Sequence, residues 1–432
     1  MFRANKAVLK NCKIYQMLAK HAKGRHLSFH TPGHKEGKWD ITELFYSDNL
    51  SAPRGCIAEA EREVAQILGA YKSFLLTDGS TAGVLSMLYA AKLLGAKTVA
   101  VFEKSHKSVF NGCKLMGLTP LIYTEQDCGE IPKAPTMSVL KKNFSGLLEK
   151  ADVLFITSPD YYGNVAELSA LREYCNATNK MLLIDGAHGG HLHFDREIYA
   201  GAYADMWVDG VHKSLPAFTQ GAVVSARSEK FGQALSEGVN IFRTTSPSYP
   251  IMASVEYAVK YPQNERLEKE VKEYQQACAR IYTSRDWTKL CALFGKNAYS
   301  AEKELQKKGI YPEFCDGNVV MLYLSPATKK GEFNQLKKEL ELLFIKYPYI
   351  SNERLECIPT PFVSLEMRET EWVEIEKAEG RICAGDCGLF PPCTPLIHAG
   401  EQIGREKISL LKNAANVYGL VGDKILVVKE EE

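Results

Sequence analysis

Apolar residues in the first half of the chain come in short, dense runs: KSFLLT (72–77), KTVAVFE (97–103), DVLFIT (152–157), KMLLID (180–185), ADMWVDG (204–210) and GAVVSA (221–226). Runs of this length, apolar at consecutive rather than alternate positions, predict strands buried on both faces. Longer segments with helical spacing separate most of them, such as TAGVLSMLYAAKLLG (81–95) and VAELSALREYCNAT (165–178). This alternation predicts an α/β fold with a mostly parallel sheet covered by helices on both faces. The first 25 residues space Val8, Leu9, Ile14, Met17 and Leu18 for one helix. HTPGHKEGK follows, where Pro32, Gly33 and Gly37 forbid a regular element. IAEAEREVAQILG (57–69) predicts an amphipathic helix ended by Gly69. Residues 255–309 read as long charged helices, and the remainder mixes short strands with helices. The pattern divides the chain into an N-terminal arm (1–45), a large domain (46–285) and a smaller C-terminal α+β domain (286–432).

Composition narrows the function classes. The 432 residues carry a formal charge of +1, with 45% hydrophobic and 24% charged residues. That is a globular composition without the basic excess expected of a nucleic-acid or anionic-membrane binder. No run approaches the roughly 18 apolar residues of a membrane span. The basic N-terminus lacks the apolar core of a secretory signal. Twelve cysteines, none in a C-x-x-C, read as reduced thiols in the cytoplasm. Cys383, Cys387 and Cys393 follow no common zinc spacing, and no metal site is expected.

Ligands of such sheets bind at the carboxyl ends of the strands. After 72–77 comes Asp78-Gly79-Ser80-Thr81, which suits either a phosphate at a helix start or a simple N-cap by Ser80 or Thr81. After 97–103 comes His106, which by itself suits either a stack on an aromatic ligand or, more often, a structural histidine. Asp185 ends 180–185 and, partly buried, requires a cationic partner. His188, His191 and His193 follow it, a weak metal pattern. Lys213 follows 204–210, a candidate Schiff-base lysine if desolvated there, although a single lysine in this place is more often a solvated loop residue. Together these four features match the needs of pyridoxal 5'-phosphate: phosphate anchor, ring cover, partner for the ring nitrogen, and lysine.

The motifs HTPGHKEGK, DGSTAG, SHKSV, SPDYYGN, DGAHGGHLHF, VHKSLPAFTQGAV, TTSPSYPIMAS, GRICA and PPCTPLIHAGEQI stand in order. In this the chain resembles the ornithine/lysine/arginine decarboxylases, enzymes of the aspartate aminotransferase-like fold type I. The resemblance implies a short form without the N-terminal wing domain of the large bacterial members. It also implies a homodimer or higher assembly with a shared active site. By resemblance, Lys213 carries the cofactor, Asp185 pairs with its ring nitrogen and His106 stacks on the ring. Gly79, Ser80 and Thr81 hold the phosphate, Thr245 or Ser246 reaches it from the neighbouring subunit, and His188 and His212 lie close. The implied reaction converts lysine, ornithine or arginine to carbon dioxide and a di- or polyamine.

Departures from the family pattern are concentrated around the cofactor. Asp78 stands for Asn, Gly186 for Glu, Glu103-Lys104 for Arg-Asn, and Gly210-Val211 for Ser-Thr. Pro391-Pro392-Cys393-Thr394-Pro395 stands for Pro-Pro-Gly-Ile-Pro. Loss of the Ser-Thr hydroxyls leads to the expectation that Gly210→Ser with Val211→Thr tightens cofactor binding. Asp386 and Glu401 are candidates for the distal amine. Two alternatives stay open: another fold type I reaction, an aminotransferase or lyase with Arg368 or Arg381 holding the α-carboxylate, or a catalytically impaired relative.

Overall fold

Alternate residues along each central strand enter two different cores. Leu154 and Ile156 join one cluster while Val153 and Phe155 join the other, and Leu182 and Leu183 divide the same way. Both faces of the sheet are therefore covered, which is why these strands are apolar throughout. The computed structural model describes residues 5–35, 38–124, 131–133, 136–351, 368–389, 393–414 and 416–429. Gly37, Pro391 and Pro392 of the motifs above lie outside the described residues. The large sheet contains β1 (Lys72–Leu76), β2 (Thr98–Phe102), β3 (Thr119–Tyr123), β4 (Val153–Thr157), β5 (Met181–Gly186), β6 (Met206–Asp209) and β7 (Ala222–Ala226). Their order is β1-β7-β6-β5-β4-β2-β3. Only β7 runs antiparallel to its neighbours. The predicted mostly parallel α/β sheet is present. β3 was missing from the hydrophobic reading because it is a half-exposed edge strand carrying Pro120, a residue tolerated where no ladder donor is needed.

Two helical expectations need correction. The N-terminal helix is two helices, Lys6–Leu9 and Lys13–Lys23. The break is fixed by buried Glu256, whose carboxylate accepts from the Lys13 and Ile14 N–H groups at 2.6 and 2.9 Å. Residues 255–309 are not helical throughout. Helices Tyr249–Val259 and Glu265–Ala277 are followed by β8 (Ile281–Tyr282) and β9 (Lys289–Leu293) before helix Ala298–Lys307. The charge of Lys289 disguises a strand that is otherwise buried and apolar.

β10 (Phe314–Cys315) and β11 (Val319–Tyr323) complete a second sheet ordered β10-β11-β9-β8. Apolar residues of Glu265–Ala277 and Lys330–Lys346 pack against it. Two three-stranded sheets formed between Thr370 and Val428 enclose a separate small core. Among the described residues, no helix is long and apolar enough to cross a membrane.

Candidate active site

The carboxyl ends of β1, β5 and β6 meet at one place. A Cβ on Gly210, just after β6, would stand 2.7 Å from Ser80 Oγ and 2.5 Å from the Ala187 carbonyl oxygen. These distances bring together the three loops that carry Ser80, Asp185 to His188, and Lys213.

The loop after β1 starts helix Gly79–Leu93, and the N-cap is Asp78 rather than Ser80 or Thr81. The Asp78 carboxylate does not cap the helix; it accepts from the Thr244 N–H at 3.3 Å. Ser80 Oγ is buried without a hydrogen-bond partner among the described residues. Thr81 is exposed, and a Cβ on Gly79 would meet nothing within 4 Å. An uncapped helix start with a buried, unspent hydroxyl and open space beside it suits an anion. Thr245 and Ser246 are exposed on this chain, in a segment held beside Asp78 through Thr244.

At the end of β5, Asp185 is 3% exposed and its Oδ1 accepts from the Ala187 N–H at 3.0 Å. Burial pushes this carboxyl up, and nearby Lys213 opposes the shift. Behind it lies Asp209, which sequence reasoning missed. Its Oδ2 accepts from Tyr199 Oη at 2.7 Å and Trp207 Nε1 at 3.1 Å. Burial pushes Asp209 up to about 7. A Cβ on Gly186 would be 3.2 Å from Asp209 Oδ1 and 3.0 Å from the Val208 carbonyl oxygen. A glutamate at 186 would crowd these atoms, so Gly186 leaves the room that Asp209 occupies.

Lys213 lies on the short helix Val211–Ser214, with Nζ 3.1 Å from His188 Nε2. Burial pushes Lys213 down, against the pull of Asp185 and Glu313. The hydrogen-bond pattern assigns the His188 tautomer. Tyr323 donates its proton to the Tyr161 carbonyl at 3.0 Å. Its oxygen therefore accepts from His188 Nδ1–H at 3.2 Å, leaving Nε2 as the acceptor facing Lys213. Burial, with Lys213 and Lys289, holds His188 well below the usual histidine range. His106 begins helix Lys107–Met116, with Nδ1 accepting from the Ser108 N–H at 3.2 Å. Burial, then Lys213, pushes it down to about 4. His212 is anchored through Nδ1 to the Gly221 carbonyl at 2.8 Å.

A second cation stands beside this group. Lys289 on β9 is fully buried, 3.1 Å from Asp286 Oδ2, 3.3 Å from the His188 carbonyl and over the Tyr323 ring at 4.4 Å. Asp286 Oδ1 also lies 2.9 Å from His191 Nε2, and its carboxyl is held far below the usual range. The sequence signal for this pair was the isolated charge at the head of an apolar run. The three histidines do not converge on a metal. His188 faces Lys213 and Tyr323, His191 faces Asp286, and His193 Nδ1 bonds the Gly190 carbonyl at 2.7 Å.

Cys393 reaches the site from the C-terminal unit, its carbonyl accepting from the Lys107 N–H at 3.2 Å. Its φ of 66° lies in the left-handed region that suits the glycine of the family pattern. The candidate distal-amine residues are engaged elsewhere. Asp386 accepts from the Ala399 N–H at 2.8 Å, and buried Glu401 accepts from the His398 N–H and pairs with Lys407. Arg381 binds Glu371 at 2.7 Å and the Val428 carbonyl at 2.8 Å, which removes it as an α-carboxylate anchor. Arg368 is exposed.

Pyridoxal phosphate carries a phosphate dianion and a ring nitrogen that is cationic when protonated. The residues present fit it. The orphaned Ser80 hydroxyl and the free helix start suit the phosphate, buried Asp185 suits the ring nitrogen, and a desolvated lysine stands between neutral histidines.

Residues 38–288 match the family described as Orn/Lys/Arg decarboxylase, major domain. The uncharacterized protein YaaO of Bacillus subtilis is 29% identical over 98% of this chain and 99% of its own length. The arginine decarboxylase of the same bacterium is 25% identical over 92% of each chain. The structure of Escherichia coli constitutive lysine decarboxylase is similar in fold, with a TM-score of 0.74 and 18% identity, covering 98% of this chain and 82% of that one.

Proposed function

Because the chain belongs to the Orn/Lys/Arg decarboxylase family, we propose that it removes the α-carboxylate of a basic amino acid, releasing carbon dioxide and the corresponding di- or polyamine. It is a pyridoxal-phosphate-dependent amino-acid decarboxylase; lysine, ornithine and arginine are the proposed substrates. One observation supports the site assignment above the others: Lys213 Nζ is 3.1 Å from a neutral His188, beside the buried carboxyl of Asp185.

Bound pyridoxal phosphate supplies an electron-accepting ring that takes up the electron pair left when the α-carboxylate departs as carbon dioxide. In this reading Lys213 would hold the cofactor covalently, and its desolvated amine suits that attachment. Asp185 keeps the ring nitrogen protonated, because a buried carboxylate favours a cation beside it. Ser80 Oγ and the N–H groups at the start of Gly79–Leu93 bind the phosphate. His106 would cover the ring, and its low proton affinity would keep that contact uncharged. His188 Nε2 accepts a hydrogen bond from Lys213 Nζ, which holds the amine in place and orients it. With the substrate amine bound, Lys213 would be the nearby group able to hold a proton for the α-carbon. Thr245 and Ser246, exposed on the single chain, are proposed to complete the phosphate site of a neighbouring subunit in a cytoplasmic homodimer.

The test is release of carbon dioxide from carboxyl-labelled lysine, ornithine and arginine by protein loaded with cofactor. Release from one of them above a boiled control supports the reading. Release from none, with cofactor bound, overturns it.

A further inference from the structure

An unpaired carboxylate stands beside the site. Tyr161 donates its hydroxyl proton to Glu313 Oε1 at 3.0 Å. The Tyr161 ring lies 4.7 Å from the His188 ring, and His188 is 3.1 Å from Lys213 Nζ. Three successive contacts thus lead from Lys213 to Glu313. Glu313 is exposed and has no cationic partner among the described residues. The other carboxylates close by are committed: Asp185 to the Ala187 N–H, Asp209 to Tyr199 and Trp207, Asp286 to Lys289 and His191.

We infer that Glu313 is a specificity-determining residue, pairing with the ammonium or guanidinium at the far end of the substrate side chain. The inference rests on the decarboxylase reading above and gives that reading its distal contact. A basic amino acid bound through its α-amine at Lys213 has a flexible apolar stem and a cationic tip. Tyr161, Tyr323 and Phe314 form an aromatic cluster along the same path, with ring centroids 5.2 to 5.8 Å from Tyr161. Aromatic faces accept both methylene groups and cations. At the end of that path a carboxylate provides a charge-assisted hydrogen bond, bidentate for a guanidinium. Glu313 also acts on the charge of Lys213 and His212, which accords with its closeness to both. Its backbone is fixed by donation to the Met321 carbonyl at 2.8 Å, so the carboxylate projects from a rigid sheet edge.

Glu313→Gln keeps the shape and removes the charge. Its exposed position makes it compatible with folding, and Glu313→Asp serves as the conservative control. With holoenzyme and the best of lysine, ornithine and arginine, KM should rise about ten- to hundredfold while kcat changes less than about threefold. Asp at 313 should recover part of the loss. Discrimination against the neutral isosteres norleucine and citrulline should fall by a similar factor. A KM and a selectivity ratio both within twofold of the parent protein would overturn the inference. If the parent protein releases carbon dioxide from none of the three, the decarboxylase reading falls and Glu313 is judged by binding. The cofactor absorbance is then titrated with lysine, arginine and norleucine. Weakening by Glu313→Gln confined to the cationic ligands supports the role, and equal or absent weakening overturns it.

Discussion

Gly210 and Ser80 face each other so closely that a Cβ on Gly210 would lie 2.7 Å from Ser80 Oγ, and 2.5 Å from the Ala187 carbonyl. The absence of a side chain at 210 is thus part of the site's shape. The expectation that a serine there restores a phosphate donor does not hold, because the added carbon meets backbone. Val211 is 1% exposed in the main core, so a threonine there buries a hydroxyl among apolar groups.

Gly210→Ala should therefore lower stability by about 1–3 kcal/mol, the usual cost of overpacking, and weaken cofactor binding. Thermal unfolding and a pyridoxal phosphate titration check this. An unchanged melting temperature together with unchanged affinity would show that the Ala187 turn yields freely.

Two lysines stand beside His188, half-buried Lys213 at its Nε2 and buried Lys289 at its carbonyl. Lys213 is paired with a histidine nitrogen, whereas Lys289 is neutralised by Asp286 at 3.1 Å. After borohydride reduction, mass spectrometry should find the cofactor on Lys213. Lys213→Ala should abolish the adduct and the visible band. Lys289→Ala should keep both but lose stability, by about 3–5 kcal/mol for stranding a buried charge. An adduct mapped to Lys289 would reverse the assignment.

Asp185→Asn should leave the cofactor bound and lower turnover by about two to four decades. A neutral partner forfeits about 3–5 kcal/mol of buried charge pairing. Equilibrium dialysis and carbon dioxide release separate the two effects. Turnover within fivefold of the parent protein would remove Asp185 from the ring nitrogen.

His193 tests the buried histidines by pH. Burial lowers its pKa to about 4, against about 6.5 in an unfolded chain. The folded state thus binds fewer protons between these values, so the stability that His193 contributes is present above about pH 6.5 and lost as pH falls towards 4. Glu61 and Asp209, raised to about 7 by burial, act in the opposite sense. The readout is therefore the difference from His193→Gln in urea denaturation. That difference should shrink by up to about 2 kcal/mol between pH 7.5 and pH 5. A constant difference would show that His193 is not buried neutral.

Six of the seven strands of the large sheet were legible in the sequence, because burial on both faces demands continuous apolar runs. The edge strand Thr119–Tyr123 was not, since one uncovered side relaxes that demand. β9 was hidden for the opposite reason: its lysine is buried, but only because Asp286 stands beside it. That Asp185, Lys213, His106 and Ser80 stand at the ends of strands was legible, because that is a local property of the chain.

Partners could not be read in the same way. His188 meets Tyr323 from 135 residues away, and Tyr161 meets Glu313 from 152. The sequence by itself determined the strand and helix periods, and with them the residues standing at the strand ends. Only the tertiary structure decided that Asp386 and Glu401 serve their own loop, that Asp209 occupies the space beside Gly186, and that Glu313 has no cationic partner among the described residues. Periodicity is set by neighbours along the chain, whereas pairing, close approach and a carboxylate's freedom depend on which distant segments the packed sheets bring within a few ångströms.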